Sequence, residues 1–231
     1  MTKPLRNLVV AGTVAALIAP AARAHHPGAD LDRVMGERER YFQVIDEPVA
    51  PPFELADADG NVVRLADFAD RIVILNFILA SCTDFCPLHS ALIAEVQAEI
   101  NATPMKDMVQ FITVSTDPAA DRPEVLKAYG LAHALDPYNW VFLTTGPGQP
   151  EDATRALAEA YEMKFEPMDD GQQMHGVATH VIDGGGRFAA KFHGLRFDPV
   201  SLILYVNGLT NAPQPRSGWW DGVRALFRQP Q

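Results

Sequence analysis

The chain carries two cysteines, Cys82 and Cys86, four positions apart in the segment Cys82-Thr83-Asp84-Phe85-Cys86-Pro87. A pair this close cannot staple distant parts of a fold, so its meaning is local. The segment follows an almost unbroken apolar run from Ile72 to Ile78, and Pro87 suits the first turn of a helix. The two thiols therefore sit where a buried strand hands over to its following helix, the end of an open α/β sheet where sites gather. A helix N-terminus there offers unpaired N–H groups and a positive dipole end, which favour thiolate over thiol. Two chemistries fit, redox exchange and metal capture. A peroxidase falls well behind them, because Leu79 and Leu75 stand where the hydroxyl residue and proline of a peroxiredoxin would be.

Whatever the thiols do, the rest of the chain must position them. Its 231 residues, 48% hydrophobic and 21% charged, suit one globular domain with processed ends rather than a disordered chain. An excess of 29 acidic over 19 basic residues argues against nucleic-acid binding. Residues 1–24 read as an export signal: Lys3 and Arg6, an apolar stretch from Leu8 to Ala19, then Ala22-Arg23-Ala24 as a small-x-small cleavage site. The apolar stretch is shorter than the roughly 20 residues that span a bilayer. Cleavage and retention as an anchor both remain open. The expected location is periplasmic or secreted, soluble or loosely membrane-associated.

Residues 25–46 read as a polar lead-in with a turn or two of helix. The domain is expected at 47–212, beginning with strands around Phe53-Glu54-Leu55 and Val62 to Leu65, joined by the Asp59-Gly60 turn. After the Ile72–Ile78 strand comes a helix with Leu88, Leu92, Ile93, Val96 and Ile100 as its apolar stripe. Strand 109–115, a helix opened by Asp121-Arg122-Pro123-Glu124, strand 140–144 and helix 151–161 follow. Strands 179–183 and 188–192 flank the turn Gly184-Gly185-Gly186, and Pro199 begins a last helix. Strand-helix alternation closing on a hairpin and a helix implies a mixed sheet covered by helices. This is an α/β, thioredoxin-like arrangement with an extra N-terminal hairpin, although three residues separate the cysteines where a thioredoxin dithiol has two.

These segments resemble the Sco/SenC family of copper-handling, thioredoxin-like proteins. The resemblance opens with "FELADADGNVVRLADFADRIVILNF", a stretch shared with redoxins generally, and becomes specific at "CTDFCP", which matches C-x-D-x-C-P. It continues through "FITVSTDPAADRPEVLKAYG", "NWVFLT" and "HGLRFDPVSLILYVNGL", over about 160 residues. Thr83 stands where proline is frequent in the family, which removes no ligand.

The resemblance implies a third ligand, a histidine before the late hairpin. His175 and His180 compete. His175 precedes Asp183 by eight positions and Gly186 by eleven, the register of the family histidine, whereas His180 falls inside a strand at a position usually aromatic. The implied metal set is Cys82, Cys86 and His175, with Met174 as a weak soft candidate. Two thiolates and one imidazole select copper, as Cu(I) or Cu(II), or zinc over magnesium and calcium. Three strong ligands are too few for a closed structural zinc site and leave a position open for transfer. The remaining histidines are weaker candidates: His25 and His26 at the expected new N-terminus, and His89, His133 and His193, read as surface residues.

The function implied is that of an exported copper chaperone assisting assembly of the dinuclear copper centre of cytochrome c oxidase, with the copper-receiving oxidase subunit as partner. The alternative is a thiol-disulfide oxidoreductase using Cys82 and Cys86 to keep that subunit's ligand cysteines reduced. In the tail, residues 213–231, Trp219, Trp220, Val223, Leu226 and Phe227 share a helical face, with Arg216, Arg224 and Arg228 towards the other. That tail either meets a membrane surface or the oxidase, or docks back on the domain.

Overall fold

The computed structural model describes residues 30–211 except 48 and 168–172; for 46, 47, 166, 167 and 173–175 the description is of backbone alone. The leader at 1–24 and the tail at 213–231 lie outside the described residues. In chain order the elements are α1 (Leu31–Arg38), β1 (Phe42–Glu47), β2 (Glu54–Asp57), β3 (Val62–Arg64), β4 (Ile72–Ile78) and α2 (Phe85–Asn101). Then come β5 (Val109–Ser115), α3 (Pro123–Ala132), β6 (Trp140–Thr144), α4 (Ala153–Ala160), β7 (Phe165–Pro167) and β8 (Gln173–His175). The chain closes with β9 (Ala178–Ile182), β10 (Phe188–His193) and α5 (Pro199–Asn211).

Eight strands form one mixed sheet in the order β1-β10-β9-β4-β5-β6-β2-β3, and β7 pairs with β8 in a separate hairpin. β4, β5 and β6 are parallel, while β9 runs antiparallel to β4 on its other side. All seven residues of β4 and all seven of β5 are buried. The cause is that both sheet faces are covered, which is why these strands read as continuous apolar runs. Ile72 and Ile74 join a core with Ile93, Ile100, Phe192 and Tyr205 beneath α2 and α5. Val73, Leu75 and Phe77 join another with Phe53, Leu157, Tyr161 and Phe188. Burying each such side chain stabilises the fold by about 1.5–3 kcal/mol. The sheet fastens the strand end that carries the cysteines.

Two sequence expectations change. Residues 31–47 are part of the domain rather than a solvated lead-in. β1 pairs antiparallel with β10, with Phe42 opposite Phe192, and Met35 of α1 is buried in the core. Asp32 accepts a hydrogen bond from the Tyr205 hydroxyl at 2.7 Å, tying α1 to α5. The helices approach so closely that a Cβ at Gly208 would lie 2.6 Å from Leu31 Cδ1. As a sheet edge β1 keeps Gln43 and Val44 exposed, which blurs the alternation that would have revealed it. The second change is the register of α2. Its buried face is Cys86, His89, Ser90, Ile93, Val96, Gln97 and Ile100, and Leu88 is 61% exposed. Polar residues therefore occupy part of the stripe that apolar periodicity assigned to Leu88.

Candidate metal centre

β4 delivers the chain to the cysteine loop, and the neighbouring strand end holds it there. The backbone N–H and the hydroxyl of Thr116 both donate to the Ile78 carbonyl, at 2.8 and 3.0 Å. The Ala80 N–H donates to Asp121 Oδ2 at 3.0 Å, and the Cys82 N–H to the Leu79 carbonyl at 3.0 Å. α2 then begins at Phe85, and Asp84 in the cap position makes no side-chain capping bond. The first N–H groups of the helix are thus available to another acceptor.

That acceptor is the Cys82 sulfur. Partial burial pushes the Cys82 thiol up, but the N–H groups of Cys86 and Asp84, the Cys86 thiol and the Phe85 N–H outweigh it. The net result is a half-exposed thiol held below its usual range. Cys86 is the opposite case. It is 3% exposed and packs with Ile78, Leu126 and Tyr129. Burial pushes it up to about 12, against the Leu79 N–H and reinforced by Cys82 and Asp121. Beside it, Tyr129 shares a 2.8 Å hydrogen bond with Ser90 and is likewise raised by burial, to about 12. Each thiol shifts the titration of the other, so the two lie close together at the start of α2.

The histidines separate. His175 lies on β8, opposite Phe165, rather than in an irregular loop. Leu75 faces His180 across the antiparallel β4–β9 pair, so the start of β9 lies beside the end of β4. His175, three residues ahead of β9, is therefore carried to the sheet end at which β4 releases the cysteine loop. His180 lies within the core at 0% exposure. Its Nδ1 lies 3.2 Å from the Leu75 carbonyl, and Phe77, Tyr161 and Phe188 surround the ring with centroids 5.4–5.8 Å away. Burial, with Lys191 adding to it, pushes its pKa down to about 3. Nε2 makes no hydrogen bond of good geometry, although the Tyr161 backbone lies near enough to favour the protonated ring. This is the packed strand histidine that the sequence suggests.

His89 is a correction: it is buried, not superficial, and its Nε2 lies 2.8 Å from Thr179 Oγ1. It falls on the sheet-facing side of α2, one turn after Cys86. His133 is partly exposed, and exposed His193 meets Gln43 Oε1 at 2.7 Å. Among the described residues no three His, Cys, Asp or Glu side chains converge as a metal cluster. Asp121 was read only as a helix opener. It stands two residues before Pro123 and six after the end of β5, and that spacing alone does not point to the cysteine loop.

The SCO1/SenC family profile matches residues 44–207. The SCO1 protein homolog of Bacillus subtilis is 27% identical over 165 residues, covering 70% of this chain and 84% of that protein. Protein SCO2, mitochondrial, of Saccharomyces cerevisiae is 27% identical, covering 71% of this chain and 54% of that one. Among solved structures, a SCO1/SenC family lipoprotein from Bacillus anthracis superposes with a TM-score of 0.64 at 23% identity, over 72% of this chain and 97% of that one. Bradyrhizobium japonicum ScoI with copper bound gives a TM-score of 0.57 at 25% identity, over 70% and 99%. The sheet and the crossover helices are thus those of a known thioredoxin-like group, and the chain belongs to the SCO1/SenC family.

Proposed function

We propose that the protein is an exported copper chaperone that assists assembly of the dinuclear copper centre of cytochrome c oxidase, with copper as its cargo. The observation that carries this reading is the sulfur pair at the start of α2, where backbone N–H groups hold the Cys82 thiol low and Cys86 follows in the first turn of the helix, close enough to act on it. Two thiolates and Cu(I) carry one excess negative charge, and a helix N-terminus stabilises that excess. A soft sulfur pair suits copper, and His175 would supply an imidazole from the β8 side. With three protein ligands a position stays open, so a receiving subunit can engage the ion before release. A copper-bound relative supports the metal, and residues 1–24 support export.

Thiol-disulfide exchange is the second reading, and the asymmetry of the pair favours it. Cys82 as thiolate would attack a partner disulfide, releasing one partner thiolate and forming a mixed disulfide. Cys86, after losing its proton to solvent, would then attack Cys82. The products are a Cys82–Cys86 disulfide and a reduced partner dithiol, a transfer of two electrons. The test uses the oxidase subunit's copper domain in two states. Copper-loaded protein mixed with the reduced, metal-free domain should transfer copper. If copper stays put while metal-free protein reduces the oxidised domain, reduction is the function instead.

A further inference from the structure

We propose that Asp121 is a positioning residue for the cysteine loop, acting by hydrogen bonds from beneath it. The proposal rests on the reading that this loop is the working site. Asp121 is 1% exposed, yet it sits outside the sulfur pair and in the connection between β5 and α3. Its Oδ2 accepts two hydrogen bonds at once, from the Ala80 N–H at 3.0 Å and from the Ser115 hydroxyl at 2.7 Å. Ser115 Oγ in turn accepts the Asp117 N–H at 3.1 Å, and the Asp121 N–H donates to the Asp117 carbonyl at 2.8 Å. One carboxylate oxygen therefore joins the end of β5 to the loop two residues ahead of Cys82.

The geometry explains why a carboxylate stands there. Ala80 cannot find a strand partner, because β4 has ended at Ile78 and the parallel neighbour β5 at Ser115. Without Asp121 its half-buried N–H would lack an acceptor in the protein, and the loop would shift to reach solvent. Cys82 packs together with Ala80 against the small core of Ile78, Cys86, Leu126 and Tyr129, so a shift at Ala80 passes to the sulfur. The contact to the N–H groups of Asp84, Phe85 and Cys86 depends on that setting. Thr116 secures Ile78 one step earlier, so Asp121 is the last fixed point before Cys82.

The test compares Asp121→Ala, Asp121→Asn and Ser115→Ala with the parent in full-chain, reduced, metal-free protein. Asparagine keeps an oxygen acceptor at the Oδ2 position; alanine removes it. Alkylation of Cys82 at fixed pH, followed residue by residue, should slow about tenfold in Asp121→Ala and stay within about twofold in Asp121→Asn, as expected for loss and retention of a hydrogen bond to a charged group. Amide exchange at Ala80 should accelerate in Asp121→Ala and Ser115→Ala, and Cu(I) affinity should fall in parallel with alkylation. A folded Asp121→Ala protein with parental Cys82 reactivity would overturn the proposal, as would an Asp121→Asn protein as impaired as the alanine variant. Should Asp121→Ala fail to fold, unchanged Ala80 exchange in Ser115→Ala would overturn it. If the parent binds no copper, the chaperone reading fails while the alkylation and exchange results still decide this one.

Discussion

The cysteine loop and the His180 pocket each hold a side chain able to bind a metal, separated by little more than the length of β4. At the loop, Cys82 is half-exposed and N–H groups converge on its sulfur. In the pocket, His180 is sealed by Phe77, Tyr161 and Phe188 and turns Nδ1 to the Leu75 carbonyl. The first environment lowers the cost of a charged ligand and leaves an approach open. The second raises that cost and leaves none. Residue type names a candidate ligand, and surroundings decide whether it can act as one.

The comparison breaks most directly at the cysteines. Outer-shell partners of metal ligands are worth 10–100-fold in affinity, so Cys82→Ser or Cys86→Ser should cost on the order of 100-fold or more in copper binding. Competition against a Cu(I) chelator measures this. Parental affinity in either variant would mean the loop is not the metal site.

In the pocket the effect should fall on stability. His180→Ala leaves a cavity among aromatic rings and should cost roughly 2–4 kcal/mol in denaturant unfolding, with copper binding retained. His180→Phe removes a polar ring with little hydrogen bonding and should cost less than about 1.5 kcal/mol. The same pocket sets a pH window. The folded pKa of about 3 lies below the usual 6.5, so the unfolded state takes up the proton first. Stability attached to His180 is full above pH 6.5 and is lost as pH falls towards 3, by roughly 4–5 kcal/mol at most. His180→Phe should therefore flatten the acid limb of the stability curve. An unchanged limb would place the acid sensitivity elsewhere.

A smaller contrast lies within the loop. Cys82, held below the usual thiol range, should alkylate at least about tenfold faster at neutral pH than Cys86, which is buried and raised to about 12. Equal rates would remove the asymmetry on which the exchange reading depends. The smallest effect is expected from the tail. Removing residues 216–231 should leave copper binding unchanged and reduce association with anionic vesicles. Unchanged association with a lower melting temperature would mean that the tail docks on the domain.

The parts legible in the sequence were those fixed by local rules. β4, β5 and β6 show as apolar runs because both their faces are covered, and the helices show by Pro123 and Pro199 at their first positions. Cys82 and Cys86 were legible because their chemistry is rare and their spacing is short. What escaped depends on partners far along the chain. β1 is a strand only because β10 offers an edge about 150 residues later, with His193 bonded to Gln43 across it. His89 is buried because Thr179 meets it across the core. Asp121 looks like a helix-opening acid until Ala80 is seen above it. Leu88 was misassigned because apolar periodicity cannot tell a polar but buried face from an exposed one.

The most direct test of the ligand set is copper stoichiometry in reduced protein carrying His175→Ala or His180→Phe, with the thiolate-to-copper absorption recorded after Cu(II) is added. The account predicts about one copper per parental chain and in His180→Phe, with weakened binding and an altered spectrum in His175→Ala. Loss of copper in His180→Phe together with a parental spectrum in His175→Ala would contradict it.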